Sequence, residues 1–223
     1  MAGEVLSSGM HPQLVLYTEE FEGRAAAVLQ DFAALEAAPE LVPPHVMKYA
    51  SDTQNPQGIL VVLPLVTLPR PDSPTFVLIT DSMRDPGNLG AVLRSAAAAG
   101  VETVYIPPES VDPYAPKVVR AAMGAHFIFP IVNMEWDEIA PQIDSMRVFF
   151  ASAHVGKPYD QLDMTPPLAL IIGGEAAGAS IEAGRLSSEY INIPMPGGIE
   201  SLNAAVAAGI LLFEVVRQRK NNK

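Results

Sequence analysis

The sequence predicts an α/β protein built on a mostly parallel sheet, preceded by a smaller α/β domain. Three observations carry this reading. From residue 76 onward, strand patterns alternate with helix patterns. The central strand segments, FVLIT at 76–80 and LALII at 168–172, are near-continuous apolar runs of the kind buried on both faces. Residues 64–74, PLVTLPRPDSP, set four prolines in eleven positions, a stretch that continues neither a helix nor a central strand. The boundary is placed there, with 1–66 as the small domain, 67–75 as a linker and 76–223 as the large domain.

In the small domain, residues 13–18 (QLVLYT) alternate like a strand, residues 21–38 have helix-forming content, and residues 58–63 (GILVVL) read as a short buried strand. In the large domain, strands are expected at 76–80, 103–106, 127–130, 147–151, 168–172 and 190–193. Helices are expected at 89–99, 116–123, 136–143 and 202–219. Fixed-period repeats and low-complexity segments are not apparent in the sequence.

Composition narrows the function. A chain of 223 residues with 49% hydrophobic and 17% charged side chains is not disordered over most of its length. Its formal net charge of −11 is spread over both halves, with 3 basic and 8 acidic side chains in residues 1–70 and 11 and 17 in residues 71–223. A protein that coats nucleic acid by neutralising phosphates is therefore not expected, although a local RNA site is compatible with the balance. With no cysteine, thiol nucleophiles, disulfides, thiolate zinc sites and iron–sulfur ligation are excluded together. His11, His45, His126 and His154 are scattered without carboxylates at ligand spacing, so no metal site is expected. The longest apolar stretches, 58–63 and 204–213, are too short to span a bilayer, and the first ten residues do not read as a signal peptide. A cytoplasmic, soluble protein is the expectation.

Three turns follow strands, which is where open α/β sheets hold ligands. The first, DSMRDPGNLGAVLR at 81–94, has turn chemistry in Asp85-Pro86-Gly87 and a helix cap expected at Asn88; Gly90 and Arg94, four apart, share a helical face. It reads either as a phosphate or oxyanion cradle or as a capped helix with an exposed arginine. The second, IIGGEAAGAS at 171–180, has the spacing of a P-loop but carries Ala179 where the lysine belongs, and it also lacks the G-x-G-x-x-G fingerprint. What remains is close backbone approach at Gly173-Gly174 beside Glu175, or a tight turn with a solvated glutamate. The third, INIPMPGGIESLN at 191–203, leads into a long helix with Ser201 as its expected cap and Asn203 beside it.

Taken together, DPGNLGAVLRSAAAAG, LIIGGEAAGAS and INIPMPGGIESLNAAVAAGILLFEVVRQR resemble the three motifs of the SpoU (TrmH-type) RNA 2′-O-ribose methyltransferases, of the SPOUT superfamily. PKVVRAAMGAHFIFPI resembles the segment between them, so the likeness covers about residues 76–219, closest to the ribosomal RNA branch. The resemblance implies a trefoil-knotted catalytic domain, S-adenosyl-L-methionine held by Gly173, Gly174, Ile193, Pro194 and Leu202, and a reacting ribose lined by Asn88, Arg94, Glu175, Ser201 and Asn203. It also implies a homodimer whose site lies where two such domains meet. Residues 13–65 resemble the family's L30e-like substrate domain. Its opening E-G-x-R-L-x-x-E-A helix is expected to be missing or reduced to GEVLSSGM, implying a truncated domain. The implied activity is methyl transfer to a ribose 2′-hydroxyl of structured RNA, ribosomal RNA ahead of transfer RNA. The rivals are a non-catalytic RNA-binding or assembly factor with the same fold and a nucleotide-dependent oxidoreductase, the latter lacking its fingerprint.

Overall fold

The structure, a computed structural model, describes residues 2–35, 37–51, 53–174 and 180–221. The chain divides into two compact units, Met1–Val66 and Thr67–Lys223.

In the first unit, helix α1 (Ala2–Ser8) is followed by β1 (Leu14–Tyr17), α2 (Glu19–Ala34), β2 (Glu40–Leu41), α3 (Pro44–Ser51) and β3 (Ile59–Val62). The fragment expected to be all that remains of an opening helix is thus helical. The three strands form one sheet in the order β2-β1-β3, with β1 parallel to β2 and antiparallel to β3. Thr18 caps α2 by accepting the Phe21 N–H, which starts this helix two residues before the apolar pattern does. Val15, Phe21, Leu29, Phe32 and Met47 are among the buried side chains of this unit. The short β2 and α3 were not expected, because two residues of strand and one stripe residue, Met47, leave little periodic signal.

The second unit runs β4 (Phe76–Asp81), α4 (Pro86–Ala99), β5 (Thr103–Ile106), α5 (Pro116–Ala122), β6 (Ile131–Asn133), α6 (Trp136–Ile143), β7 (Arg147–Ala151), β8 (Lys157–Pro158), β9 (Leu168–Gly173), α7 (Ile181–Leu186), β10 (Glu189–Asn192) and α8 (Ala204–Asn221). The seven described strands pair in the order β6-β5-β4-β9-β7-β10-β8, and every pair is parallel. Alternation sorts the strand residues onto two faces. Leu78, Phe149 and Leu170 join Leu89, Leu93, Val118, Leu211 and Leu212 in one core; Ile79, Phe150 and Ile171 join Ile139, Ile143 and Ala183 in the other. Both faces are covered, as the unbroken apolar runs require.

One strand reading is corrected, and one helix was not expected. The strand expected at 127–130 is a 3-10 turn, Ala125–Phe127, followed by β6 at Ile131–Asn133. Gly124 enters the turn at φ 91, and Pro130 has no N–H to donate, serving the sheet only through its carbonyl, which accepts the Val104 N–H. At 181–186, Ser180 caps a short helix by accepting the Ala183 N–H; only Ala183 of its residues is buried, so the pattern carried no stripe to read.

His126 is 5% exposed, with Nε2 donating to the Pro113 carbonyl at 2.8 Å, its ring against Tyr114, and Nδ1 buried without a partner among the described residues. Burial holds its imidazole below the ordinary value of 6.5, against the weaker opposing pull of the Pro113 bond and Asp112. The folded state therefore favours the neutral ring. The stability this confers is complete above pH 6.5 and is lost as pH falls from there through the depressed folded value. His126→Gln, which can keep the bond to Pro113 without titrating, is expected to flatten the loss between pH 7.5 and 5. Denaturant midpoints across that range check it.

Candidate functional site

The first turn is shaped by Asp85. Its carboxylate accepts the Asn88 N–H at 2.7 Å and Pro86 takes the first helical position, so α4 starts three residues earlier than expected and Asn88 lies inside the helix instead of capping it. Gly90 does not lie open beside the Arg94 guanidinium. It is buried where α4 meets α5, and a Cβ there would overlap Ala121 and come within 2.8 Å of the Val118 carbonyl oxygen; the missing side chain serves helix packing. Arg94 is exposed and makes no hydrogen bond or ion pair with a described residue.

The third turn is capped by Asn203, not Ser201. The Asn203 Oδ1 accepts the Ala205 and Val206 N–H groups, so α8 begins at Ala204. The same amide donates through Nδ2 to Asn88 Oδ1 at 2.9 Å, across 115 residues of sequence. This bond ties the first turn to the third. The second turn is tied to the first at the paired ends of β4 and β9, where Asp81 sits opposite Gly173 and the Gly174 N–H donates to the Asp81 carbonyl at 2.8 Å.

The second and third turns border a cleft of about 410 Å³ at the carboxyl ends of β7, β9 and β10, a size suited to a cofactor. Gly173 and Gly174 form part of its floor, Ile193, Leu202 and Leu211 give apolar walls, and Ser201 reaches its edge. Of the expected cofactor residues, Pro194 is exposed and outside the lining, while its neighbours Ile193 and Met195 line it. Asn88, Arg94 and Asn203 do not line the cleft, and Glu175 lies outside the described residues. Within one chain the structure therefore gathers the backbone elements and the Asn88–Asn203 pair, and leaves the arginine apart.

Sequence reasoning missed the wall formed by Ser152–Val155 after β7. The Ser152 hydroxyl accepts the N–H groups of His154 and Val155, and Gly156, at φ 108, lets the chain press against the Tyr190 backbone. A serine two residues before a histidine and four before a glycine was the available signal. Among the described residues, no group of three or more His, Asp or Glu could hold a metal ion, and no helix is long and apolar enough to cross a membrane.

The sequence model of the SpoU rRNA Methylase family matches residues 75–213. The chain belongs to that family. It is 32% identical over 272 residues to the rRNA methyltransferase 3A, mitochondrial, of Danio rerio, which covers 96% of this chain, while the chain spans only 61% of that protein's length. It is 36% identical over 210 residues to the 23S rRNA (guanosine-2′-O-)-methyltransferase RlmB of Xylella fastidiosa, covering 91% of this chain and 76% of the relative. The crystal structure of the SpoU methyltransferase AviRb of Streptomyces viridochromogenes in complex with AdoMet superposes with a TM-score of 0.83 at 28% identity, covering 98% of this chain and 87% of the other. The parallel sheet with helices on both faces is the architecture of these SPOUT enzymes.

Proposed function

We propose that this SpoU-family chain transfers a methyl group from S-adenosyl-L-methionine to a ribose 2′-hydroxyl of structured RNA, ribosomal RNA in the first place, in the cytoplasm. The observation that carries the reading is that the second and third motifs line one cleft while the first is hydrogen-bonded to both. The Asn88–Asn203 bond ties the first turn to the third and the Gly174–Asp81 bond ties it to the second, whose glycines form part of the floor of a cleft with apolar walls. The names of the relatives and the AdoMet in the AviRb structure support the same assignment.

The residues present fit the cofactor. Gly173 and Gly174 offer backbone approach without side chains, and Ile193 and Leu202 suit the flat face of an adenine. When bound, S-adenosylmethionine supplies a methyl group already made electrophilic by its sulfonium. The chain's own task is alignment, which is worth several kcal/mol when a bimolecular step becomes effectively unimolecular, up to about 10. Ser201 at the cleft edge and the Asn88–Asn203 pair are assigned to the ribose, as is Glu175. Arg94 orients the ribose or its phosphate and stabilises the developing alkoxide. It is not the base, because a guanidinium stays protonated in proteins; phosphate or water takes the proton.

Arg94 lies six residues beyond Asn88, about 9 Å along the helix axis, and outside the cleft of its own chain. This supports a homodimer in which Arg94 of a second copy completes each site. The exposed Val206 and Phe213 on α8 supply apolar surface for such pairing. The strand order, with β9 and β10 on either side of β7, supports the trefoil knot implied by the resemblance. Residues 1–66 are assigned to substrate RNA and 67–75 to the linker.

The test is transfer of labelled methyl from S-adenosylmethionine to large-subunit ribosomal RNA, to transfer RNA and to ribose-2′-deoxy controls. Label in ribosomal RNA that resists alkaline cleavage at one nucleotide is the expected result. Label only in transfer RNA favours the alternative substrate, and binding of RNA and cofactor without label favours the assembly factor.

A further inference from the structure

Asp81 is a buried carboxylate, 1% exposed, at the end of a strand whose other residues, Phe76 to Thr80, are buried and uncharged. Among the described residues it has no cationic partner. A charge in such a place is costly unless it is hydrogen-bonded. Here it is met by two donors. Oδ2 accepts the main-chain N–H of Ser180 at 2.8 Å, 99 residues away, and Oδ1 accepts the Ser82 hydroxyl at 3.2 Å. The carbonyl of the same residue accepts the Gly174 N–H. Gly174 on the cleft floor and Ser180 are thus both fixed on Asp81. Ser82, which its hydroxyl bond tethers, is held at φ 52, a conformation costly for a residue with a Cβ, and its carbonyl packs directly on Gly174.

We propose that Asp81, which does not itself line the cleft, is the positioning residue of the cofactor floor: its carboxylate holds Ser180 and Ser82 so that Gly173 and Gly174 keep their place. The inference rests on the methyltransferase reading for what the floor binds. It also separates geometry from charge. Asparagine can keep the Ser180 bond through its oxygen and turn its NH₂ to the Ser82 hydroxyl, which then accepts. Alanine can do neither, and leaves the Ser180 N–H without its acceptor. If Asp81 acted by its negative charge on a sulfonium, asparagine would be as poor as alanine.

The experiment is calorimetric titration of the full chain with S-adenosylhomocysteine, alongside amide hydrogen exchange at Gly174 and Ser180 and thermal melting. Asp81→Ala is expected to weaken binding by about thirtyfold and Asp81→Asn by no more than about fivefold, the range spanned by losing and weakening a charge-assisted bond. Exchange at Ser180 should rise in the alanine variant only, with cooperative melting kept in both. Wild-type affinity in Asp81→Ala, or equal losses in the two variants, would overturn the proposal. Should Asp81→Ala fail to melt cooperatively, Asp81→Ser, too short to span to Ser180, takes its place under the same criteria. If the wild-type chain does not bind S-adenosylhomocysteine, the methyltransferase reading fails. Amide exchange then decides the positioning role alone: Ser180 protection lost with alanine and kept with asparagine supports it, and equal protection in both refutes it.

Discussion

Arg94→Ala is expected to lower methyl transfer by on the order of a hundredfold or more while leaving S-adenosylhomocysteine affinity nearly unchanged. The split follows from where Arg94 stands. It lies outside the cleft that would hold the cofactor, exposed, with no partner among the described residues that its loss would strand. Removing it therefore costs the fold little. What it costs is an electrostatic contact made as charge develops on the ribose oxygen, and such contacts are visible in turnover and not in cofactor binding. Lysine should rescue poorly, since a point charge does not reproduce the planar fork that a phosphate or alkoxide meets. Single-turnover assays with the cognate RNA, paired with calorimetry, read both quantities. Turnover close to wild type would make Arg94 a surface residue with no role in the reaction.

The same variant tests the dimer. If each site takes its arginine from the other copy, mixing Arg94→Ala chains with chains whose cleft is blocked should restore about a quarter of the wild-type rate. About half the dimers would be mixed, each with one intact site. Mixing that restores nothing, with light scattering showing a dimer, would place Arg94 at the site of its own chain.

Much of this site was legible because it is built from local chemistry. Asp85-Pro86-Gly87 and the two glycines after LALII mark turns whatever surrounds them, and the apolar runs fix the strands that carry them. The errors share a cause. Asn88 and Ser201 are good caps by type, but Asp85 and Asn203 won those positions because each reaches main-chain N–H groups that the others do not. Gly90 looked like space for a guanidinium, and only the approach of α5 shows that the space is filled by Ala121 and the Val118 carbonyl. Asp81 was read as the first residue of a turn. Its partner Ser180 is 99 residues away, and a contact of that span has no periodicity in the chain. The Ser152–Val155 wall and the separation of Arg94 from the cleft are likewise products of strand order, which local patterns do not encode.

Gly174→Ala is expected to disable the cleft although it adds a single methyl group. A Cβ at this position would overlap the Ser82 carbonyl oxygen and lie 3.0 Å from the Ser82 carbonyl carbon and 3.3 Å from the Met83 Cα. All three atoms are backbone, and Ser82 already occupies the left-handed region at φ 52, while Met83 is 1% exposed and its N–H is held by the Ser110 hydroxyl. Neither neighbour can yield cheaply. The strain of forcing an extra methyl into such packing is about 1–3 kcal/mol, and Gly174 can escape it only by moving away from β4, which breaks its bond to the Asp81 carbonyl and shifts the floor. S-adenosylhomocysteine affinity should then fall by about tenfold to a hundredfold, with methyl transfer falling at least as far. The control lies in the third motif. Gly197 has open space around its missing Cβ and no positive φ, so Gly197→Ala tests whether any added methyl near these turns is harmful, and it should bind within about twofold of wild type. Equal affinities for Gly174→Ala and wild type would mean that the first two turns can part without cost, and that the second turn does not owe its place to the first.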